Sequence, residues 1–225
     1  MMTKNVLIIG ANSRIAQWAD KMLLADQDVN LTMFVRNKAK LDPELQDQNV
    51  IVGDATNSAD LEAAIKGQDI VYASLAGNVV DEAKKIVAAM DKQGVKRLIW
   101  TSSLGIYDEV PGKFGELNTR ALPGYLQTYR EAADVISNSD LDYTIIRPAW
   151  LTDNGEVDYE TTSYNNGEAF KGTETSRKSV AAYVVSLVND SEKDVRDSIG
   201  VDKPGSDGDR PRREVMMANG FDPEM

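Results

Sequence analysis

The first turn of the chain constrains its fold more than any other segment. An apolar run, Val6–Ile9, ends at Gly10, and a helical pattern begins a few residues later at Ile15. A buried parallel strand followed by such a turn and a helix is typical of sites at which the helix N-terminus binds a phosphate. Ser13 and Ala16 stand where a glycine fingerprint would have its further glycines. The turn therefore predicts a phosphate site in which the Ser13 hydroxyl donates to the ligand.

Strand and helix patterns alternate along most of the chain. Strand patterns cover Val6–Ile9, Asn30–Val35, Val50–Val52, Asp69–Leu75, Val95–Thr101 and Tyr143–Arg147. Helix patterns cover Ile15–Leu24, Ala59–Lys66, Val79–Gln93, Tyr125–Ser137 and Lys178–Val188. This alternation predicts an α/β fold, a doubly wound parallel sheet of Rossmann-like type with helices on both faces.

The predicted organisation is a single nucleotide-binding domain over residues 1–225. Within it, residues 149–203 are expected to form a small substrate-side lobe, and residues 204–225 a polar, loosely ordered tail. The alternative for this tail is a surface that contacts a substrate or a partner. Residues 105–120 contain several glycines and are expected to be a mobile flap.

Composition limits the chemistry and the partners. The 225 residues include no Cys and no His, so proton transfer is left to Tyr, Lys, Asp or Glu, and no metal site is predicted. A net charge of -11 argues against nucleic acid as a partner. No apolar run approaches the ~20 residues of a membrane span, and we expect no signal peptide before the first strand. We expect a cytoplasmic protein with a small-molecule substrate, no membrane partner and a possible homodimer.

Arg36 indicates which dinucleotide binds. It ends the second strand pattern, 26 residues after Gly10, where an NAD site would have Asp or Glu on the ribose 2′-hydroxyl. A guanidinium at this place can pair with a 2′-phosphate, and Arg14 can join it from the turn. The pair favours NADP, with NAD still possible. The alternative is that both are solvated surface arginines.

Other strand ends carry polar or small residues at the same sheet edge, where ligands of open α/β sheets bind. Asp54 either accepts a hydrogen bond from an adenine amino group or caps the helix that starts near Ser58. Residues 74–78, Ser-Leu-Ala-Gly-Asn, end the fourth strand. Ser102 and Ser103 follow the fifth strand, as site residues or as ordinary strand-end serines.

Several stretches together resemble the atypical, extended short-chain dehydrogenases/reductases, which include NmrA-like and flavin-reductase-like proteins. They lie within residues 4–190 and include Val-Leu-Ile-Ile-Gly-Ala, Phe-Val-Arg-Asn, Gly-Asp-Ala-Thr, Trp-Thr-Ser-Ser-Leu-Gly-Ile-Tyr and Leu-Asp-Tyr-Thr-Ile-Ile-Arg-Pro. The resemblance implies that Gly10, Asn12, Ser13, Arg14 and Ile15 wrap the pyrophosphate, that Arg36 meets the 2′-phosphate, and that Asp54 and Ala55 flank adenine. It implies further that Ala76 and Gly77 line the ribose and that the chain from Pro148 to Leu151 passes beside the nicotinamide, with Leu75 and Ser102 as additional cofactor-binding residues.

The resemblance also implies Ser103 and Tyr125 as catalytic residues. The family pairs its tyrosine with a lysine four residues later, which lowers the tyrosine pKa and holds the ribose. Here that position is Tyr129, and Arg130 next to it points about 100° away on a helix. Three functions stay open: an NADP-dependent oxidoreductase of a small carbonyl, quinone or flavin-like acceptor, a non-catalytic NADP sensor, and a sugar-nucleotide epimerase or dehydratase. Alternatively, the two tyrosines only pack.

Overall fold

A computed structural model describes residues 3–224. Its strands are β1 (Lys4–Ile9), β2 (Val29–Val35), β3 (Val50–Val52), β4 (Ile70–Ala73), β5 (Arg97–Thr101), β6 (Asp142–Pro148), β7 (Trp150–Thr152), β8 (Glu160–Ser163), β9 (Glu174–Ser176) and β10 (Asp197–Asp202). Eight of them form one sheet in the order β3-β2-β1-β4-β5-β6-β10-β8. Its pairings are parallel except that β8 runs antiparallel to β10. Strands β7 and β9 form a separate parallel pair.

Helices cover both faces of the sheet, as the sequence predicts. They are α1 (Ala16–Leu24), α2 (Ser58–Ile65), α3 (Val79–Gln93), α4 (Gly112–Ala121), α5 (Tyr125–Ser137), α6 (Arg177–Asn189) and α7 (Arg213–Ala218). Helices α2, α3 and α5 share one apolar core with the sheet, and α1 and α6 share the other. The doubly wound α/β prediction is confirmed. None of the described helices is long and apolar enough to cross a membrane.

Strand β1 shows why the sequence folds in this way. Leu7 and Ile9 are fully buried in the core that contains α3 and α5, whereas Val6 and Ile8 are fully buried in the core that contains α1 and α6. Successive side chains of a strand point to opposite faces. A strand covered on both faces therefore needs a continuous apolar run.

The structure differs from the sequence prediction in three segments. Residues 105–120, the expected flap, contain most of α4, whose Phe114 and Leu117 are buried. Strand β10 lies between β6 and β8 in the main sheet and had not been predicted. The tail expected to be loosely ordered contains α7, whose Val215 and Met216 are buried in the same apolar cluster as α4. Tertiary packing orders all three segments, although their local sequences are weakly periodic.

Candidate active site

Two cavities lie side by side at the carboxyl ends of the central strands and share Ser74, Leu75 and Ala76. The first, here the turn cavity, has a volume of about 250 Å³. Its lining also includes Ile9, Gly10, Asn12, Ser13, Phe34, Val35, Arg36, Ala55 and Glu82. The second, the serine cavity, has a volume of about 260 Å³. Its lining also includes Ile15, Thr101–Leu104, Leu122, Tyr125, Tyr129, Pro148–Leu151, Asn219 and Phe221.

Gly10 is required by the backbone of the turn. Its φ is 79°, and an added Cβ would overlap the carbonyl oxygen of Ser74 and lie 3.0 Å from Leu75 Cδ2. An L side chain rarely adopts this conformation. The neighbouring Ser13 Oγ lies 2.7 Å from Ser74 Oγ and accepts a hydrogen bond from Ala16 N at 3.0 Å. The Ser13 hydroxyl thus joins β4 to the first turn of α1 while also lining the turn cavity.

The two arginines of the phosphate prediction have different surroundings. Arg36 is exposed, lines the turn cavity and makes no ion pair with any residue between 3 and 224. Arg14 lies outside the lining of that cavity and pairs with Asp153, which also binds Arg177 at 2.9 Å. The two arginines therefore do not converge on one cavity in this structure, and Arg36 alone offers an unpaired cation to a ligand in the turn cavity.

Asp54 is held by its own loop. Its Oδ1 accepts hydrogen bonds from the Thr56 backbone N and Oγ1, both at 2.8 Å. These bonds, more than the nearby Arg36, lower the Asp54 pKa and keep its carboxylate ionised. Asn57, not Asp54, caps α2, so the capping alternative is wrong. Ala55 is buried in the cavity lining, whereas Asp54 lies just outside it.

Glu82 is a lining residue that the sequence reasoning missed. It lies in the first turn of α3, is only 5% exposed, and its Oε2 has no hydrogen-bond partner in the described part of the chain. Burial raises its pKa, and the charge of Arg36 opposes that shift. The signal was a carboxylate on the apolar face of a helix, beside Val79, Ala83 and Ile86. Such a buried, unpaired carboxyl is costly unless it serves a ligand or is protonated.

Gly77 follows the strand that separates the two cavities. It has a φ of 99° with open space around it, and it lies outside both linings. Leu75 and Ala76 line both cavities. Of the cofactor-binding residues predicted in this loop, Leu75 and Ala76 therefore line the cavities and Gly77 does not.

The serine cavity brings together the two predicted catalytic residues. Ser103 and Tyr125 both line it. The Ser103 hydroxyl donates to its neighbour's carbonyl, Leu104 O, at 3.2 Å, whereas the buried Ser102 Oγ has no partner among residues 3–224. Pro148, at the end of β6, lies beside these serines, and its carbonyl accepts a hydrogen bond from Leu104 N at 3.3 Å.

Tyr125 and Tyr129 form a stacked pair on α5, with ring centroids 4.1 Å apart. The Tyr129 hydroxyl donates to Leu75 O at 3.1 Å. Burial raises the pKa of both tyrosines, so Tyr125 remains a protonated donor at neutral pH. Arg130 is bound to Asp134 at 2.8 Å and supplies no charge to the cavity.

Three observations test whether a dinucleotide fits. The Gly10 turn has the backbone that close approach to a pyrophosphate requires. Arg36 offers an unpaired guanidinium, and Glu82 and Ser102 present buried polar atoms without partners within residues 3–224. No cluster of metal-ligating residues occurs among these same residues. The residues fit a dinucleotide, and fold and site define a Rossmann-type nucleotide-binding protein.

Comparison with known proteins agrees. Residues 10–191 match the NAD(P)H-binding family profile. A Rossmann-fold NAD(P)-binding protein of Shigella flexneri is 43% identical, with 93% of this chain and 98% of that chain covered and a TM-score of 0.80. A short-chain dehydrogenase/reductase of Veillonella parvula, solved in complex with NADP, is 32% identical, with 93% and 99% covered and a TM-score of 0.87. The chain belongs to the NAD(P)H-binding family, which confirms the predicted relationship to Rossmann-type short-chain dehydrogenases/reductases.

A more distant relative is the UPF0659 protein YMR090W of Saccharomyces cerevisiae. It is 26% identical over 172 residues, which cover 67% of this chain and 71% of the yeast protein.

Proposed function

We propose that this protein is an NADP-dependent reductase of a small, neutral, planar acceptor of the quinone or flavin type. The observation that carries the proposal is the chemistry of the serine cavity. Among residues 3–224, its lining contains hydroxyls, one amide and apolar side chains but no charged group. An unpaired charge on a substrate would be desolvated there without compensation. An acceptor without charge on its reacting ring system suits this lining best.

The choice of NADP rests on Arg36. A free guanidinium at the edge of the turn cavity can form two charge-assisted hydrogen bonds to a 2′-phosphate. An NAD site would have a carboxylate at this strand end instead. The Veillonella parvula relative, solved with NADP, supports the same choice.

Few of the protein's own residues need to take part in such a reaction. When bound, NADPH would supply a hydride, that is, two electrons and one proton. The reduced acceptor then needs one proton, which Tyr125 donates before solvent restores its hydroxyl proton. The Ser102 and Ser103 hydroxyls lie where they can orient an acceptor carbonyl. Without a lysine at position 129, Tyr125 acts as a donor and not as an activated base.

The test follows the loss of NADPH absorbance with menadione, riboflavin, flavin mononucleotide and benzaldehyde as acceptors. We expect turnover with menadione and riboflavin, and weaker turnover with flavin mononucleotide, which differs from riboflavin by one phosphate. Ser103→Ala and Tyr125→Phe should each lower kcat/KM about 10- to 100-fold. Ser58→Ala, an exposed serine of α2, is the matched control and should leave it unchanged.

Two results would contradict the proposal. Tight NADPH binding without turnover of any of the four acceptors favours the non-catalytic sensor, a function that the Tyr129 substitution also supports. Unchanged turnover in both the Ser103 and the Tyr125 variant would show that these residues are not catalytic, even if the protein reduces quinones.

A further inference from the structure

The C-terminal segment, residues 213–224, forms one wall of the serine cavity. Phe221 and Asn219 belong to the lining, and α7 buries Val215 and Met216 in the cluster that includes Trp150. The family match ends at residue 191, so this wall lies outside the part of the chain that defines the family.

Polar contacts hold this wall in place. Where the segment begins, Arg212 Nε donates to Glu174 Oε1 at 2.8 Å, and the Glu174 carboxylate is buried. Near its other end, Asn219 Nδ2 donates to Leu151 O at 2.9 Å. The second bond ties the segment to β7, the strand that supplies the adjoining part of the cavity. The wall is thus fixed at both ends of α7.

Aromatic side chains determine the shape of the cavity beside this wall. The Phe221 and Trp150 rings lie 4.8 Å apart at an interplanar angle of 50°. Trp150 is itself fixed, because its Nε1 donates to Asn118 Oδ1 at 3.0 Å. Tyr125, in the same lining, is 41% exposed and so has ring surface available to a ligand. Flat ring systems bind between such side chains by stacking and edge contacts.

We propose that Phe221 determines which acceptor the protein binds, with Asn219 as the positioning residue that holds it over the cavity. The inference rests on the proposed function for the kind of ligand, a planar conjugated ring. It adds that the affinity for that ring comes from the C-terminal wall, whereas the turn cavity, which contains Gly10 and Arg36, has no lining residue from that wall. Removal of the Phe221 ring should then weaken acceptor binding and leave cofactor binding, which depends on the turn cavity, nearly unchanged.

The experiment compares Phe221→Ala, Phe221→Trp and the control Met217→Ala, a residue of the same segment that is exposed and outside the lining. For Phe221→Ala we expect the KM for menadione to rise roughly tenfold, with a smaller change in kcat and an unchanged Kd for NADPH. Phe221→Trp should retain most of the affinity, and Met217→Ala all of it. Asn219→Ala should raise the same KM, because the wall loses its tie to Leu151.

A binding measurement separates this inference from the proposed function. Menadione is titrated calorimetrically into the NADP⁺-loaded protein, which needs no turnover. If menadione binds roughly tenfold more weakly to Phe221→Ala, the role of Phe221 in acceptor binding is supported. This holds even if no variant oxidises NADPH, in which case only the reductase proposal fails. Turnover with an unchanged menadione KM and Kd in Phe221→Ala overturns the inference and leaves the reductase intact. If the wild-type protein does not bind menadione or riboflavin at all, the inference is overturned as well.

Discussion

We expect Asp20 to make the folded protein less stable as the pH rises towards 8. This carboxyl lies in α1, fully buried, and neither of its oxygens has a hydrogen-bond partner in the structure between residues 3 and 224. Burial, assisted by the negative charge of Asp42, raises its pKa from 3.8 to about 8. Asp20 is thus protonated in the folded protein at neutral pH, whereas in the unfolded chain it ionises near 3.9.

The sign and size of the effect follow from proton linkage. Between the two pKa values the folded state binds one proton more than the unfolded state, so the free energy of unfolding falls as the pH rises. Each unit of pKa difference is worth about 1.4 kcal/mol. The shift from 3.8 to about 8 therefore sets an upper limit of roughly 5–6 kcal/mol on the loss. That is a large part of the roughly 5–15 kcal/mol by which domains are stable.

The perturbation is Asp20→Asn, which keeps the shape of the side chain and removes its titration. We expect the unfolding free energy of the wild type to fall relative to the variant by about 1 kcal/mol per pH unit between pH 5 and pH 8. Urea denaturation at each pH unit measures this slope. The unpaired buried amide of the variant changes its free energy of unfolding by a constant amount and does not change the slope of that free energy with pH.

The matched control is Asp47→Asn, which changes an exposed carboxylate. Its unfolding free energy should run parallel to that of the wild type across the same pH range. A difference between wild type and Asp20→Asn that does not vary with pH would refute the reasoning, because the carboxyl would then titrate alike in both states.

Two further predictions concern the turn cavity. Arg36→Ala should weaken NADPH binding roughly tenfold to 100-fold and leave NADH unchanged, measured by fluorescence titration, with the exposed Lys66→Ala as control; an equal loss for both cofactors would exclude a 2′-phosphate contact. Burial raises the Glu82 pKa, so wild-type NADPH affinity should fall as the pH rises through that pKa, because an ionised Glu82 then competes for the charge of Arg36. Glu82→Gln should abolish this pH dependence and bind about threefold to tenfold more tightly at pH values above the Glu82 pKa, and a persistent pH dependence would assign it to another group.

The sequence predicts the half of the fold that carries strong local patterns. Val6–Ile9 is recognisable because a strand buried on both faces must be apolar throughout. Strand β10 has no such signal, since it contains Ser198 and Gly200 and is flanked by aspartates. Gly200 is explained only by its neighbours: an added Cβ would overlap Thr162 Oγ1 and lie 2.8 Å from the Phe170 ring. Contacts between residues far apart in the chain determine this strand.

The site divides in the same way. Gly10 and Arg36 are predictable because their roles depend on position relative to a strand. Phe221 is not, because only the fold brings residues beyond 212 back to β7. Arg14 is the opposite case: its position in the turn predicts a contact with phosphate, whereas in the structure it pairs with Asp153.

Tyr129 connects the fold to the proposed chemistry. A lysine at this position would place a cation beside Tyr125, lower the tyrosine pKa and make it an effective base. Tyr129 instead donates to Leu75 O, the carbonyl on the strand end between the two cavities, and stacks on Tyr125. Tyr129 thus connects α5 to the end of β4 and adds no charge to the serine cavity. With no cation to stabilise an alkoxide, the proposed reaction suits acceptors whose reduced anions are stable without one. Quinones and flavins meet this condition, whereas simple aldehydes and ketones, which a hydride converts to alkoxides, do not.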